Sequence, residues 1–247
     1  MIFGLKHANV LGFGNSCRIV LLGKTGVGKS SVGNQLLGGK KSFAVGHRAT
    51  SKTVEISWRA DHFLGYGQCI TVFDTPGAKD TEGRDFKHTL DMKNVLSEDI
   101  KSVDIFLLLI SGKDTRFDLG TKELMLWYEA VFGKDMWKHV IVETTFWKHS
   151  QKDADERKLV RNIDENSRSK EWENMLHEPP FNVKPQIRIP FIFLDPVVKI
   201  FADPCDPTIL QPSKREKDKF SEYADFFEES FNNTLAFDCE NMCKVNA

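Results

Sequence analysis

Residues 23–31 read Gly23-Lys24-Thr25-Gly26-Val27-Gly28-Lys29-Ser30-Ser31, with Gly23, Gly28, Lys29 and Ser30 in the fixed places of a G-x-x-x-x-G-K-[ST] loop. The mostly apolar run Arg18, Ile19, Val20, Leu21 and Leu22 precedes it, and a helix-compatible run from Ser31 to Leu37 follows, stopping at Gly38-Gly39. Strand, loop and helix in that order are the context the motif requires. A polyphosphate is multiply charged and needs many short donors packed together. Glycines let successive backbone N–H groups curl around phosphate oxygens without Cβ clashes, and the new helix turns its positive end on the same spot. All nine residues are therefore read as nucleotide-binding. Lys29 is expected to reach the β- and γ-phosphates and to neutralise charge during transfer, and the Ser30 hydroxyl to ligate magnesium.

Outward from this loop the chain alternates strands and helices. Residues 17–22 form the first strand, apolar apart from Arg18, as a strand covered on both faces should be. Residues 40–52 are polar and read as a mobile loop. Thr53 to Ala60 alternates, with Val54, Ile56 and Trp58 on one face, and a short turn with Gly65 and Gly67 joins it to Cys69–Phe73. Helical spacing follows over 85–101, and Val103 to Ile110 is the most apolar run of the chain, a central parallel strand. Asp118 to Phe132 is an amphipathic helix closed by Gly133, and 138–144 is a strand. A charged helix is predicted over 153–177 with a thin stripe of Leu159, Val160, Ile163, Trp172, Met175 and Leu176. A last strand occupies 190–194. Eight of the nine prolines fall after residue 178, so 195–212 is irregular. Ser213 with Glu216 makes a capping box for a final helix striped by Phe220, Tyr223, Phe227 and Phe231.

The expected fold is an α/β P-loop NTPase domain. Its sheet is mostly parallel, with the 53–60 strand antiparallel and helices on both faces. A lead-in (1–16) precedes the nucleotide-binding domain (17–200), and a loop with a C-terminal helical extension (201–247) follows. Phosphate-binding residues then collect at the C-terminal ends of the strands.

Asp74-Thr75-Pro76-Gly77 ends one of those strands. Asp74 is placed to hold magnesium through water, and the Gly77 N–H to touch the γ-phosphate, so that the segment beyond reports whether that phosphate is present. This glycine marks a switch GTPase rather than a kinase or ATPase of the same superfamily. The intervening loop supplies a threonine to magnesium: Thr50 is preferred over Thr53, which already belongs to the strand.

Composition excludes other classes. Apolar residues make up 40% and charged residues 28%, an ordinary globular balance, and a net charge of −1 gives no bulk attraction to nucleic acid or anionic membrane. No apolar run approaches the roughly 20 residues of a membrane span. The start of the chain lacks a signal peptide's pattern and its end a prenylation box, so a cytoplasmic protein is expected. Five cysteines without C-x-x-C spacing signal neither a disulfide framework nor a zinc site.

The loop GKTGVGKSSVGNQLLG, the DTPG segment, the box ISGKDTRFDLGTKELMLWYEAVFG (Ile110 to Gly133) and the following WKHVIVETTF resemble the immunity-associated GTPases, the GIMAP family, relatives of septin and Toc GTPases. The resemblance covers roughly residues 17–150, and the box is its most diagnostic part. It implies a GTP/GDP-binding domain using Mg2+, a homodimer across the nucleotide face, and a helical extension that the 213–231 helix would provide.

Two departures stand out. Most small GTPases read the base with N-K-x-D, whereas this chain has Thr144-Thr145-Phe146-Trp147-Lys148-His149. Thr145, Phe146, Trp147 and His149 are the candidates on the base side. A neutral histidine accepts only one hydrogen bond and reads guanine less sharply than a carboxylate. Phe146 and Trp147 either sandwich the base or pack a strand end. Secondly, Ala78 and Lys79 follow Gly77, where many GTPases carry a water-orienting glutamine, so slow turnover is expected. Arg116 offers a remedy that the resemblance implies: an arginine presented in trans from this box, worth roughly 10³-fold or more. Otherwise it pairs with Asp114 or Asp118. The sequence thus points to a slow GTPase switched by nucleotide-dependent dimerisation, the 40–53 and 75–84 loops building the interface. A non-hydrolysing scaffold and an ATP-binding P-loop protein stand as alternatives.

Overall fold

The computed structural model describes residues 16–45, 56–77, 90, 92–97, 101–114, 118–195, 212–233 and 237–238. Its elements are β1 (Cys17–Leu22), α1 (Lys29–Leu36), β2 (Ser57–His62), β3 (Cys69–Asp74), β4 (Ser102–Val103) and β5 (Ile105–Ser111). They continue with α2 (Leu119–Phe132), β6 (Val140–Thr145), α3 (Gln151–Arg161), α4 (Glu165–His177), β7 (Phe191–Phe193), α5 (Lys214–Asn233) and β8 (Phe237–Asp238). Six strands form one sheet in the order β2-β3-β1-β5-β6-β7. Only β2 runs antiparallel, in register Trp58 to Phe73 and Ala60 to Thr71; the other neighbours are parallel. The mixed sheet with a single antiparallel strand is the one the sequence predicts, and the short turn between β2 and β3 is its cause.

Alternation along the strands feeds two cores. Val20 and Leu22 face one side with Phe106, Leu108 and Val142, covered by Leu124, Tyr128 and Phe132 of α2 and by Trp172 and Leu176 of α4. Ile19 and Leu21 face the other with Val72, Leu107 and Ile141, covered by Val32 and Leu36 of α1 and by Tyr223 and Phe227 of α5. Both faces of β1 are therefore closed over Ile19–Leu22, which is why that run is apolar without a break. Glu143 lies on β6 between Leu109 and Ile192, on the α1–α5 face and fully buried. It accepts a hydrogen bond from the Tyr223 hydroxyl at 3.3 Å.

Several elements differ from their sequence reading. The 103–110 run is split at Asp104, whose carboxylate accepts from the Arg18 backbone N–H at 2.7 Å, so β4 leaves the main sheet and pairs with β8. The charged 153–177 segment is two helices. Asn162 ends α3 in a left-handed conformation, φ 50°, and Asp164 starts α4 by accepting from Ser167 N–H at 2.7 Å while Ser167 Oγ accepts from Asp164 N–H. Leu159, expected in the apolar stripe, is 84% exposed on α3. In the 40–52 loop Phe43 is buried and pinned to α1, its N–H donating to Asn34 Oδ1 at 2.7 Å and its carbonyl accepting from Asn34 Nδ2 at 2.9 Å. Residues 46–52 of that loop lie outside the described residues. The Ser213–Glu216 capping box is present: Ser213 N–H donates to Glu216 Oε2 at 2.7 Å and Glu216 N–H to Ser213 Oγ at 3.3 Å.

Candidate functional site

The 23–30 loop leaves the C-terminal end of β1 and opens α1. Gly28, with φ 101°, is the N-cap, in a conformation a side chain would strain; no side chain caps the helix and no acidic residue stands in its first turn. The first amides of α1 are thus left for an anion. Lys29 is buried, and its Nζ donates to the carbonyls of Gly23 at 2.9 Å and Lys24 at 2.8 Å. Those two bonds tie the loop into a ring and leave one ammonium hydrogen for a ligand. Burial lowers the Lys29 pKa to about 8, with Asp74 pulling it back up.

Ser30 Oγ donates to Asp74 Oδ2 at 2.6 Å. The hydroxyl and the carboxylate assigned to magnesium from sequence therefore stand side by side, although they lie 44 residues apart. A hydroxyl with a carboxylate is the hard oxygen set that Mg2+ takes. Thr75 Oγ1 donates to the Leu21 carbonyl at 2.5 Å, fixing the turn after β3 to β1. Gly77 is pressed onto the loop. A Cβ there would stand 2.5 Å from Thr25 Cα, 2.5 Å from Thr25 Oγ1 and 2.7 Å from Thr25 N, so only glycine fits. Thr25 Oγ1 is buried and has no hydrogen-bond partner among the described residues. Thr50, Thr53 and Arg116 lie outside those residues.

The loop is also held from its outer flank by α2. The Gly23 N–H donates to the Tyr128 hydroxyl at 3.2 Å. Lys24 Nζ meets both carboxylate oxygens of Asp118, at 2.6 and 2.8 Å, and the same carboxylate caps α2 by accepting from Thr121 N–H. These contacts hold the Asp118 carboxyl below its usual range against its partial burial. A cleft of about 220 Å³ remains between the loop, the end of β5 and the first turns of α2, with Asp114, Thr121 and Leu124 on its wall.

On the base side the structure corrects the sequence reading. His149 is 1% exposed; its Nε2 lies 2.7 Å from the Phe193 carbonyl and its Nδ1 3.4 Å from Glu165 Oε1. Nε2 is held by the Phe193 carbonyl, while Nδ1 is buried beside Glu165 without a hydrogen bond among the described residues, so the residue expected to read the base joins the end of β6 to β7 and lies against α4. Burial lowers its pKa, against the hydrogen bond to Phe193 and the charge of Glu165. Trp147 is buried as well, its ring 4.8 Å from that of Phe193 and beneath the Arg157 guanidinium at 4.3 Å. Of the two roles open to it, packing is the one seen. The Thr145 hydroxyl donates to the Val27 carbonyl at 2.7 Å, bracing the phosphate loop from below. Phe146 alone of the four is half-exposed, with Lys113 Nζ 4.1 Å above its ring.

Sequence reasoning missed the α2 clamp. Tyr128 sat unnoticed in an apolar stripe, and Asp118 was read only as a possible arginine partner. The one available signal was a tyrosine, with its hydroxyl, at a stripe position that an apolar side chain would fill equally well.

Comparison with known proteins adds the following. The AIG1 family profile matches residues 17–169. GTP-binding protein A of Dictyostelium discoideum is 27% identical over 137 residues, which is 55% of this chain and 29% of that protein. The chain thus spans less than a third of the length of that relative. Toc33 of Arabidopsis thaliana, in complex with GDP and Mg2+, matches with a TM-score of 0.64 over 91% of this chain and 88% of its own, at 18% identity. A structure of the chloroplast translocon components atToc33 and psToc159, for whose GTPase activity dimerisation is important, matches with a TM-score of 0.65 over 90% and 86%, at 16% identity. At such identities the structural likeness establishes a shared fold.

Proposed function

The chain belongs to the AIG1 family, and from there we propose that it binds GTP and GDP, hydrolyses GTP slowly, and switches by nucleotide-dependent self-association. The observation that carries this reading is the convergence of a buried Lys29 with the Ser30–Asp74 pair at the mouth of uncapped α1. In this mechanism the loop amides and the free ammonium hydrogen of Lys29 hold the β- and γ-phosphates and neutralise the charge that grows on them during transfer. Ser30 and Asp74 hold Mg2+, with Thr50 as the loop ligand; when bound, the ion screens the phosphate oxygens. Gly77 lies against Thr25, and its N–H reports the γ-phosphate to the segment that follows. Arg116 of a second copy supplies the missing transition-state charge, as suits a fold whose relatives atToc33 and psToc159 depend on dimerisation for activity.

Two measurements on the full chain test the proposal. Labelled GDP is competed with unlabelled GDP and ADP, and phosphate release is followed against protein concentration for the wild type and Arg116→Ala. The expected outcome is displacement by GDP but not ADP, with release per molecule rising with concentration in the wild type only. Equal displacement by ADP sinks the guanine reading. Release of zero at every concentration favours a nucleotide-dependent scaffold, the reading that Ala78 and Lys79 after Gly77 support.

A further inference from the structure

We infer that the Thr25 side chain orients the attacking water, taking the part that a glutamine after the D-x-x-G glycine plays in many GTPases. The inference rests on the hydrolytic reading above. An orienting group must accept a hydrogen bond from water. Ala78 has no polar side chain, and an ammonium such as that of Lys79 donates only. A threonine hydroxyl offers one donor and two lone pairs. Three neighbouring hydroxyls are engaged: Ser30 on Asp74, Thr75 on the Leu21 carbonyl, Thr145 on the Val27 carbonyl. Thr25 Oγ1 is buried without a partner among the described residues. A buried hydroxyl left unpaired is costly, and the cost calls for a partner that the described residues do not provide. Its position supplies the reason. The hydroxyl lies against Gly77, since a Cβ on that glycine would stand 2.5 Å from it. Gly77 is the residue whose N–H meets the γ-phosphate in the proposed mechanism. An oxygen acceptor lying against that residue borders the place where, in the proposed mechanism, a water must stand to attack.

In the step itself the water oxygen bonds to the γ-phosphorus, and the bond from that phosphorus to the β–γ bridging oxygen breaks. GDP leaves with the bonding electrons, and the water's proton passes to a γ-phosphate oxygen to give inorganic phosphate. Thr25 accepts a hydrogen bond from the water throughout and keeps its own proton, so it is an aligning group and not a base.

The test uses full-chain Thr25→Val, which keeps the shape and removes the hydroxyl, and Thr25→Ser, which keeps the hydroxyl. Affinity for a fluorescent GDP and phosphate release at saturating GTP are measured for each. In Thr25→Val kcat is expected to fall about tenfold or more, well beyond any change in its GDP affinity, and Thr25→Ser to restore most of the rate. Wild-type kcat in Thr25→Val overturns the inference and leaves the GTPase reading standing. Loss of GDP affinity in parallel with rate assigns the side chain to binding and also overturns it. Absence of release from the wild type, with GDP still bound, removes the hydrolytic reading and this inference together.

Discussion

Glu143→Gln should change how the stability of this protein depends on pH. Glu143 is fully buried on β6, between Leu109 and Ile192 and beneath Tyr223 of α5. Burial raises its pKa from 4.5 to about 8, against the smaller pull of the Tyr223 hydrogen bond; Oε1 has no partner among the described residues. The folded protein therefore holds a proton here that the unfolded chain has released at neutral pH. Between the unfolded pKa and the folded one the native state binds more protons, so stability falls as pH rises, by about 1.4 kcal/mol per unit for one group. Below pH 4.5 both states are protonated and the penalty is absent; above about 8 it is fully present and constant. Glutamine cannot ionise. Subtracting the unfolding free energy of Glu143→Gln from that of the wild type cancels every other titrating group. The wild type should lose ground to the variant by roughly 3 kcal/mol between pH 5.5 and 7.5. The assay is urea unfolding at a series of pH values, with equal m-values confirming comparable unfolding. Glutamine adds a second amide hydrogen with no obvious acceptor, which offsets the curve by a constant and leaves its slope untouched. A difference that stays flat from pH 5 to 8 would show that the carboxyl is charged in the folded state and refute the reasoning.

Gly77→Ala should be disruptive for a steric reason. The new Cβ meets Thr25 Cα at 2.5 Å, and backbone cannot rotate away as a side chain can, so the turn or the loop must shift. The expected result is a loss of about 1–3 kcal/mol in stability, together with loss of preference for a GTP analogue over GDP, read by thermal unfolding and competitive binding. Unchanged values in both would mean that the segments do not pack as described. For Lys29, burial lowers the pKa to about 8 in the nucleotide-free protein against 10.5 in the unfolded chain. The unfolded chain binds the extra proton in that window, so nucleotide-free stability rises with pH from about 8 towards 10.5. A polyphosphate favours the charged ammonium, so GDP binding takes up a proton above pH 8, and affinity should fall by up to about tenfold per unit there. A GDP titration series from pH 7 to 9.5 that stays level would contradict this.

What the sequence made legible was whatever depends on neighbours along the chain. The 23–31 spacing, the apolar continuity of β1, the short turn that makes β2 antiparallel and the Ser213–Glu216 box are each written in a few consecutive residues, and a local rule decodes them. What stayed hidden depends on a partner far away. The break at Asp104 exists because its carboxylate takes the Arg18 amide, 86 residues earlier; Phe43 is core because Asn34 holds its backbone. Apolar stripes conceal polar work in the same way: Tyr128 packs like any helix aromatic, and its hydroxyl holds the Gly23 amide across 105 residues. The 144–149 segment shows the limit most clearly. By position it is where GTPases read the base, yet Thr145 braces the loop, Trp147 packs under Arg157, and His149 closes on Phe193 and Glu165. Three of the four candidate side chains are committed to holding strand, loop and helix together. An aromatic or a histidine at a strand end serves packing or recognition equally well until the elements beyond it are known, and here those elements, β7 and α4, come after the motif in the chain.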